Sequence, residues 1–237
     1  MKRGPIALFT LAALAITPIA AVGTTLVDAV LAAVEGHIVT ASDVAVARAL
    51  SLFGVSPSSE AIQYDDVERL ITARLVVNEA RWLGIGGTEN EAEQAWDAAA
   101  RRVGGEAVLD GWLEQAGVGR AWARAMVAAD LDWRRFIDLR FRAFVFVPVD
   151  DVLAELGPGD HSPEARARVR AALEAREVDL RLGEWRAETE RRVTVRRLLA
   201  PGDRVACPLP MPLVGPARSQ DGHENDAVSR AGGRVAR

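Results

Sequence analysis

Histidine and cysteine, the side chains that most often carry metal, redox or nucleophilic chemistry, are scarce and scattered in this sequence. His37, His161 and His223 stand far apart, and Cys207 is the only cysteine. Zinc hydrolases need clustered ligands such as HExxH, and thioredoxin-type redox enzymes need a CxxC pair. Neither pattern occurs, nor does the GxSxG elbow of serine hydrolases. The sequence therefore predicts no metal, no cofactor and no catalytic residue.

Lysine and paired carboxylates are the next groups that could do chemistry. A Walker A loop needs a lysine on the nucleotide phosphates, but Lys2 is the only lysine in the chain. The pairs Asp65-Asp66 and Asp150-Asp151 lie at predicted helix starts, where the helix dipole favours negative charge. We interpret both pairs as structural, and we expect no nucleotide-driven cycle.

The composition is that of a folded protein of ordinary charge. Of 237 residues, 49% are hydrophobic and 26% are charged, and the formal net charge is −4. This amount of apolar sequence suffices for one sizeable core. Nucleic-acid-binding domains carry a basic excess, so we predict no nucleic-acid partner.

The N-terminus has the three parts of a secretory signal. Lys2 and Arg3 give a positive start, residues 6–15 form an apolar run, and small residues at 21–23 suit a signal peptidase. We predict a signal peptide over residues 1–23 and a periplasmic or secreted body. In the alternative, the segment is not cleaved and anchors the exported body in the inner membrane.

The elements of the body follow from apolar spacing and from capping residues. Apolar residues recur at steps of three and four over residues 65–83 and again over 120–144, and both patterns predict long helices. A capping box at residues 88–91 opens a third helix. Ser162-Pro163 opens a long charged helix that ends near Arg191.

The body begins with a small hairpin. Short apolar runs flank Glu35-Gly36, and Gly36 supplies the positive φ of a tight turn. Thr40 or Ser42, with Asp43, caps the next helix. An isolated hairpin is marginal in water, so it should need a third strand.

The candidate third strand is distant in sequence. Val193 and Val195 alternate with polar residues, as in a strand, some 155 residues after the hairpin. From Pro201 onward the chain is rich in proline, glycine and charge and has no periodicity. Residues 201–237 are therefore predicted to be a disordered tail.

The order of these elements resembles the N-terminal chaperone domain of SurA and its PpiC-like and PrsA-like relatives. The segments that carry the resemblance are VDAVLAAVEGHIVTASDV, VERLITARLVVNEARWLGI, FRAFVFVPVDDVLAEL and SPEARARVRAALEAREVDLRLGEWRAETERRVTVRRLL. The resemblance implies a mainly α fold with a small antiparallel β-sheet that joins the N- and C-terminal segments. The domain would span residues 24–200, with its N-terminal part at 24–156 and a returning helix and strand at 162–200.

The sequence departs from these relatives in one respect. They carry one or more parvulin-type prolyl isomerase domains, each of close to a hundred residues, between the two parts. Here only the short connection LGPGDH, residues 156–161, separates them. We therefore expect a protein without isomerase activity, and no catalytic residue carries over from the family.

The resemblance implies an ATP-independent exported chaperone that holds unfolded envelope or secreted polypeptides in an apolar groove. Most of the six tryptophans should be core. We select Trp112, Trp122 and Met126 as candidate peptide-binding residues, because they surround Gly117 and Gly119, where helix packing should be interrupted.

Two other functions stay open at this point. One is a dedicated, non-catalytic interaction subunit of an export or envelope-assembly system, associated with the membrane through an uncleaved N-terminal segment. The other is residual prolyl isomerisation, for which the sequence leaves no room.

Overall fold

The structure, a computed structural model, describes residues 28–58 and 60–209. This part of the chain is mainly helical with a small antiparallel sheet. The strands are β1 (Val30–Val34), β2 (His37–Thr40), β3 (Ile62–Gln63), β4 (Val195–Arg197) and β5 (Arg204–Val205). The helices are α1 (Ala41–Leu50), α2 (Tyr64–Trp82), α3 (Glu89–Arg102), α4 (Glu106–Gln115), α5 (Arg120–Arg140), α6 (Val149–Leu156) and α7 (Pro163–Glu190). The predicted signal peptide lies outside the described residues.

The first and last parts of the body share one sheet, with strand order β2-β1-β4. Val34 of β1 pairs with His37 of β2 on one side and with Val195 of β4 on the other. The turn consists of Glu35 and Gly36, whose φ values are 49° and 83°. Positive φ at both central residues is typical of a type I′ turn. The predicted third strand is thus confirmed.

Capping contacts begin the helices where the sequence predicts them. Thr40 is the N-cap of α1, because its hydroxyl accepts from the Asp43 amide at 3.2 Å while the Asp43 carboxylate accepts from the Thr40 amide at 2.8 Å. Thr88 and Glu91 make the same reciprocal pair at α3. The Ser162 hydroxyl accepts from the Ala165 amide at the start of α7. These three caps satisfy amides that a helix start otherwise leaves unpaired.

The fifth helix is shorter than the predicted 120–144. It ends at Arg140, a 3₁₀ turn (Arg142–Phe144) follows, and Phe144 is exposed. Val145, Val147 and then Pro148 disfavour continued helix, since β-branched residues lose rotamer freedom in a helix and proline lacks the amide.

The ordered body continues past the start of the predicted tail. β5 pairs antiparallel with β3, with Val205 opposite Ile62 and Arg204 opposite Gln63. Cys207 and Leu209 then pack against the main core. The expectation of disorder from residue 201 is therefore corrected for residues 201–209, because their backbone finds a partner strand. Residues 210–237 lie outside the described part.

Two apolar clusters hold the helices together. The main core lies between the hairpin and helices α1 to α5, with Trp96 as its largest fully buried side chain. A second cluster joins α2, α5 and α7 around Phe136, which contacts Phe141 and Trp185 with ring centroids 5.9 and 5.5 Å apart. Trp133 and Trp185 border both clusters. The long α7 is thereby fixed to the rest of the body at its C-terminal half.

Candidate functional site

An open groove with a volume of ≈ 270 Å³ lies between α2 and α5. The wall on α2 consists of residues that share one helical face: Leu70, Ala73, Arg74, Val77 and Arg81. The wall on α5 is Trp122, Ala125, Met126 and Ala129, also at helical spacing. Two long helices therefore present one face each to a common channel, in which apolar side chains alternate with charged ones, and alanines on both walls leave it open.

The remaining lining residues are Val39 of β2, Asp43 of α1 and Phe53 of the loop after α1, and we name this group the end wall. Phe53 has a φ of 55°, in the left-handed region that non-glycine residues rarely adopt. Its amide donates to Asp130 Oδ1 at 2.6 Å, and its ring packs edge-on against Trp133 with centroids 6.3 Å apart. A hydrogen bond and a ring contact thus fix this strained residue at the end wall.

Asp130, which holds Phe53, is almost fully buried. Burial raises the pKa of this carboxyl above 3.8, although the Phe53 amide and the Arg134 guanidinium both favour its ionised form. Arg134 pairs with it from one turn further along α5. The position of the end wall therefore depends on a carboxylate in an unfavourable environment.

Asp43 contributes the carboxylate at the groove. Its pKa is raised above 3.8 by burial, and this effect outweighs the opposing hydrogen bonds from Thr40 and the charge of Arg74. The Asp43 carboxylate already accepts hydrogen bonds from the Thr40 amide and hydroxyl. Its main structural role is therefore in the cap of α1.

Arg74 and Arg81 are the cationic side chains of the lining. Arg74 is half-buried and makes no hydrogen bond or ion pair with any described residue, though its charge acts on Asp43. Arg81 Nε lies 4.0 Å from Asp132 Oδ2, beyond hydrogen-bond distance, and the side chain is 59% exposed. Two guanidinium groups on one wall therefore keep most of their donors available.

The structure brings together two of the three residues predicted from the sequence. Trp122, 37% exposed, and Met126 lie one turn apart in the α5 wall. Trp112 is 5% exposed and packs in the main core with Leu109 and Leu113, the other buried residues of α4. The expectation for Trp112 is corrected, because α4 turns this face towards the core and away from the groove.

Sequence reasoning missed the α2 wall and the end wall. The apolar spacing over residues 65–83 predicted a helix but no binding wall; Leu70, Ala73 and Val77 of this helix are buried, with their edges at the groove. A usable indication was present: Arg74 interrupts this otherwise apolar face. The contribution of Phe53 had no local sign, since it depends on the distant Asp130.

A second apolar surface lies where α6 packs against α7. It consists of exposed large side chains, and we name it the arm surface: Phe144, Phe146, Val149, Leu153 and Leu180. Phe146 is 84% exposed. A shallow depression beside it also contains Asp151, Glu155, Arg176 and Glu177. The side chains of the arm surface are more exposed than most of those that line the groove, and the depression beside them is lined by four charged residues.

Residues 28–58 and 60–209 contain no group of three or more histidine, cysteine or acidic side chains that could hold a metal ion. Within the same residues, no helix combines the length and hydropathy that crossing a membrane requires. Comparison with protein families finds no family that matches this chain, and comparison with curated proteins finds no relative.

Proposed function

We propose that this protein is an ATP-independent exported chaperone that holds unfolded polypeptide segments in the groove between α2 and α5. The observation that carries the proposal is the open channel whose apolar α5 wall presents Trp122 and Met126 beside small alanines. An unfolded client exposes apolar side chains, and an exposed apolar groove offers them a place out of water.

The composition of the groove suits clients of many sequences. Methionine is unbranched and adapts to irregular shapes, and tryptophan offers a broad face with few rotatable bonds. The volume is near the lower end of the roughly 300–1,000 Å³ of ligand pockets, so a few side chains fill it. Contacts of this size are weak, and release then needs no nucleotide.

The proposal includes the absence of prolyl isomerase activity. In the relatives that the sequence resembles, the isomerase lies between the two parts of the chaperone domain. Here α6 ends at Leu156 and α7 begins at Pro163, so six residues join them. Export rests on the predicted signal in residues 1–23. A proline-peptide assay with measurable turnover would contradict the absence of isomerase activity. A mature protein found in the cytoplasm would contradict export.

The test is suppression of aggregation without ATP. The purified chain is added to an unfolded outer-membrane β-barrel protein diluted from urea, and light scattering follows aggregation. We expect the chain to delay scattering and the double variant Trp122→Ala/Met126→Ala to lose most of this effect. Trp82→Ala is the matched control, because Trp82 is 80% exposed and lies outside the groove lining. Equal loss in both variants, or no suppression by the wild type, would contradict the proposal.

The arm surface favours a second candidate, a non-catalytic interaction subunit with one dedicated partner. Several exposed phenylalanine, leucine and valine side chains on neighbouring elements are typical of protein interfaces. Affinity purification from the native envelope separates the two functions. One stoichiometric partner that is lost on Phe146→Ser would support the subunit, whereas many substoichiometric polypeptides that are lost on Met126→Ala would support the chaperone.

A further inference from the structure

We propose that the groove selects polypeptide segments in which two acidic residues, three positions apart, flank apolar side chains. This inference rests on the proposed function and names the client sequence that the site would prefer. The observation behind it is the pair Arg74 and Arg81, which gives one wall of an apolar channel two positive charges.

Arg74 provides the first position for a carboxylate. A guanidinium carries five N–H donors, and this one is half-buried without a hydrogen-bond acceptor among the described residues. Asp43, the carboxylate in the lining, is already engaged by Thr40. The Arg74 guanidinium is not among the fully buried unpaired groups of the described residues, so water can reach it when the groove is empty. A carboxylate of a bound segment would replace that water as the acceptor, and Arg binds carboxylates in a two-pronged geometry.

Arg81 provides a second position for a carboxylate on the same wall. Its neighbour Asp132 is 4.0 Å away, and Asp132 Oδ1 accepts from the Gly87 amide at 2.9 Å. The Arg81 guanidinium therefore keeps donors that point to no described acceptor. The lining as a whole has two arginines against one aspartate, so the local charge favours an anionic segment even though the chain has a net charge of −4.

The spacing of the two arginines sets the spacing of the acids. Residues seven apart on a helix are separated by about 10 Å along its axis, since each residue rises about 1.5 Å. Unfolded chains frequently adopt polyproline II conformation, which has three residues per turn and a rise of about 3.1 Å. Residues i and i+3 then lie on one side of the segment, about 9 Å apart. The two apolar residues between them face Trp122 and Met126.

The experiment uses three labelled peptides with the same apolar residues and with Glu, Gln or Lys at positions i and i+3. Fluorescence anisotropy measures their binding to the full chain at low and at moderate salt. We expect the Glu peptide to bind at least about tenfold more tightly than the Gln peptide, and the Lys peptide to bind most weakly. The preference should decrease as salt is added, because both arginines are partly exposed.

Variants assign the preference to the two side chains. Arg74→Gln and Arg81→Gln should each reduce the Glu-over-Gln ratio, because each removes one of the two positive charges from the α2 wall. Arg69→Gln is the control, since it makes the same change on an exposed residue of α2 outside the lining. Circular dichroism and melting temperature confirm that each variant is folded.

The outcomes separate this inference from the proposed function. If the wild type binds the Glu and Gln peptides equally, the charge preference is wrong and the chaperone proposal is untouched. If none of the peptides binds, the proposed function itself fails. A free dicarboxylate that binds as tightly as the Glu peptide would also overturn the inference, because it would assign the arginines to a small anion.

Discussion

Arg197 of β4 donates two hydrogen bonds to Glu68 of α2, from Nε to Oε1 at 2.7 Å and from Nη2 to Oε2 at 3.1 Å. The two residues are 129 positions apart. Arg197 Nη2 also donates to Glu190 at the end of α7, and Arg186 of α7 pairs with both Glu68 and Glu190. Two arginines and two glutamates thus connect the returning helix and strand to the N-terminal part of the body.

Glu68→Gln should destabilise the protein by about 2–3 kcal/mol, because it weakens charge-assisted hydrogen bonds to two arginines at a site where Glu68 is only 14% exposed. Urea unfolding of the chain measures this loss. Glu188→Gln is the matched control. It removes a carboxylate from an exposed pair with Arg191, which should change stability by less than about 0.5 kcal/mol. Equal effects would contradict a role for Glu68 in joining the segments.

The wild type and Glu68→Gln can also be compared as a function of pH. Burial opposes ionisation of Glu68, but the hydrogen bonds of Arg197 and Arg186 together outweigh it and hold the pKa below 4.5. The folded state therefore releases this proton more readily than the unfolded state. The advantage of wild type over Glu68→Gln should be complete above pH 4.5 and should be lost as the pH falls through the folded pKa.

Asp130→Asn should show the opposite trend. The pKa of Asp130 is raised above 3.8 by burial, so its contribution to stability is complete below that pH and is lost as the pH rises through the folded value. Asparagine does not titrate, and its carbonyl oxygen still accepts from the Phe53 amide. The stability of the variant relative to wild type should therefore increase from pH 3.5 to pH 7 in urea unfolding. A difference that does not vary with pH would contradict this.

Trp112→Ala and Trp122→Ala should separate packing from binding. Trp112 is buried in the main core, and its truncation should cost about 3–5 kcal/mol. Trp122 is partly exposed at the groove, and its truncation should cost less than about 1.5 kcal/mol. Thermal unfolding of both variants checks the order. A larger loss for Trp122 would place it in the core and remove it from the binding site.

Gly36→Ala and Gly111→Ala should change stability in opposite directions. Gly36 has a φ of 83° in the hairpin turn, so alanine there should cost about 1–2 kcal/mol. Gly111 lies within α4, and an added methyl group at either site meets nothing within 4 Å. Alanine at 111 should therefore stabilise the helix by about 0.5–1 kcal/mol. Urea unfolding compares the two, and a shared sign would show that backbone conformation is not the cause.

The parts of the fold that the sequence predicts correctly depend on local chemistry. Turn residues at 35–36, the reciprocal caps at α1 and α3 and the proline at the start of α7 all act within a few residues. The third strand was predicted because a lone hairpin is unstable. In contrast, β3 and β5 have two residues each, and so short a strand has no periodicity to detect.

The candidate site was only partly predictable for a related reason. Helical spacing indicates which residues share a face, but it does not say which neighbouring helix covers that face. Trp112 and Trp122 lie on different helices. Only tertiary packing determines that Trp112 is buried in the core and that Trp122 borders the groove. Arg74 differs from the other lining residues, because a charged residue on an apolar helical face can be recognised from the sequence alone. The role of Phe53 arises from a hydrogen bond across 77 residues and has no sequence pattern.

The central position of β1 between β2 and β4 has a consequence for how the protein is made. About 155 residues separate the hairpin from its third strand, so at roughly 5–20 residues per second the ribosome takes about 8–30 s to supply it. Until then β1 lacks its second partner strand and the sheet is incomplete. The three-stranded sheet can therefore form only after nearly all of the described body has been synthesised.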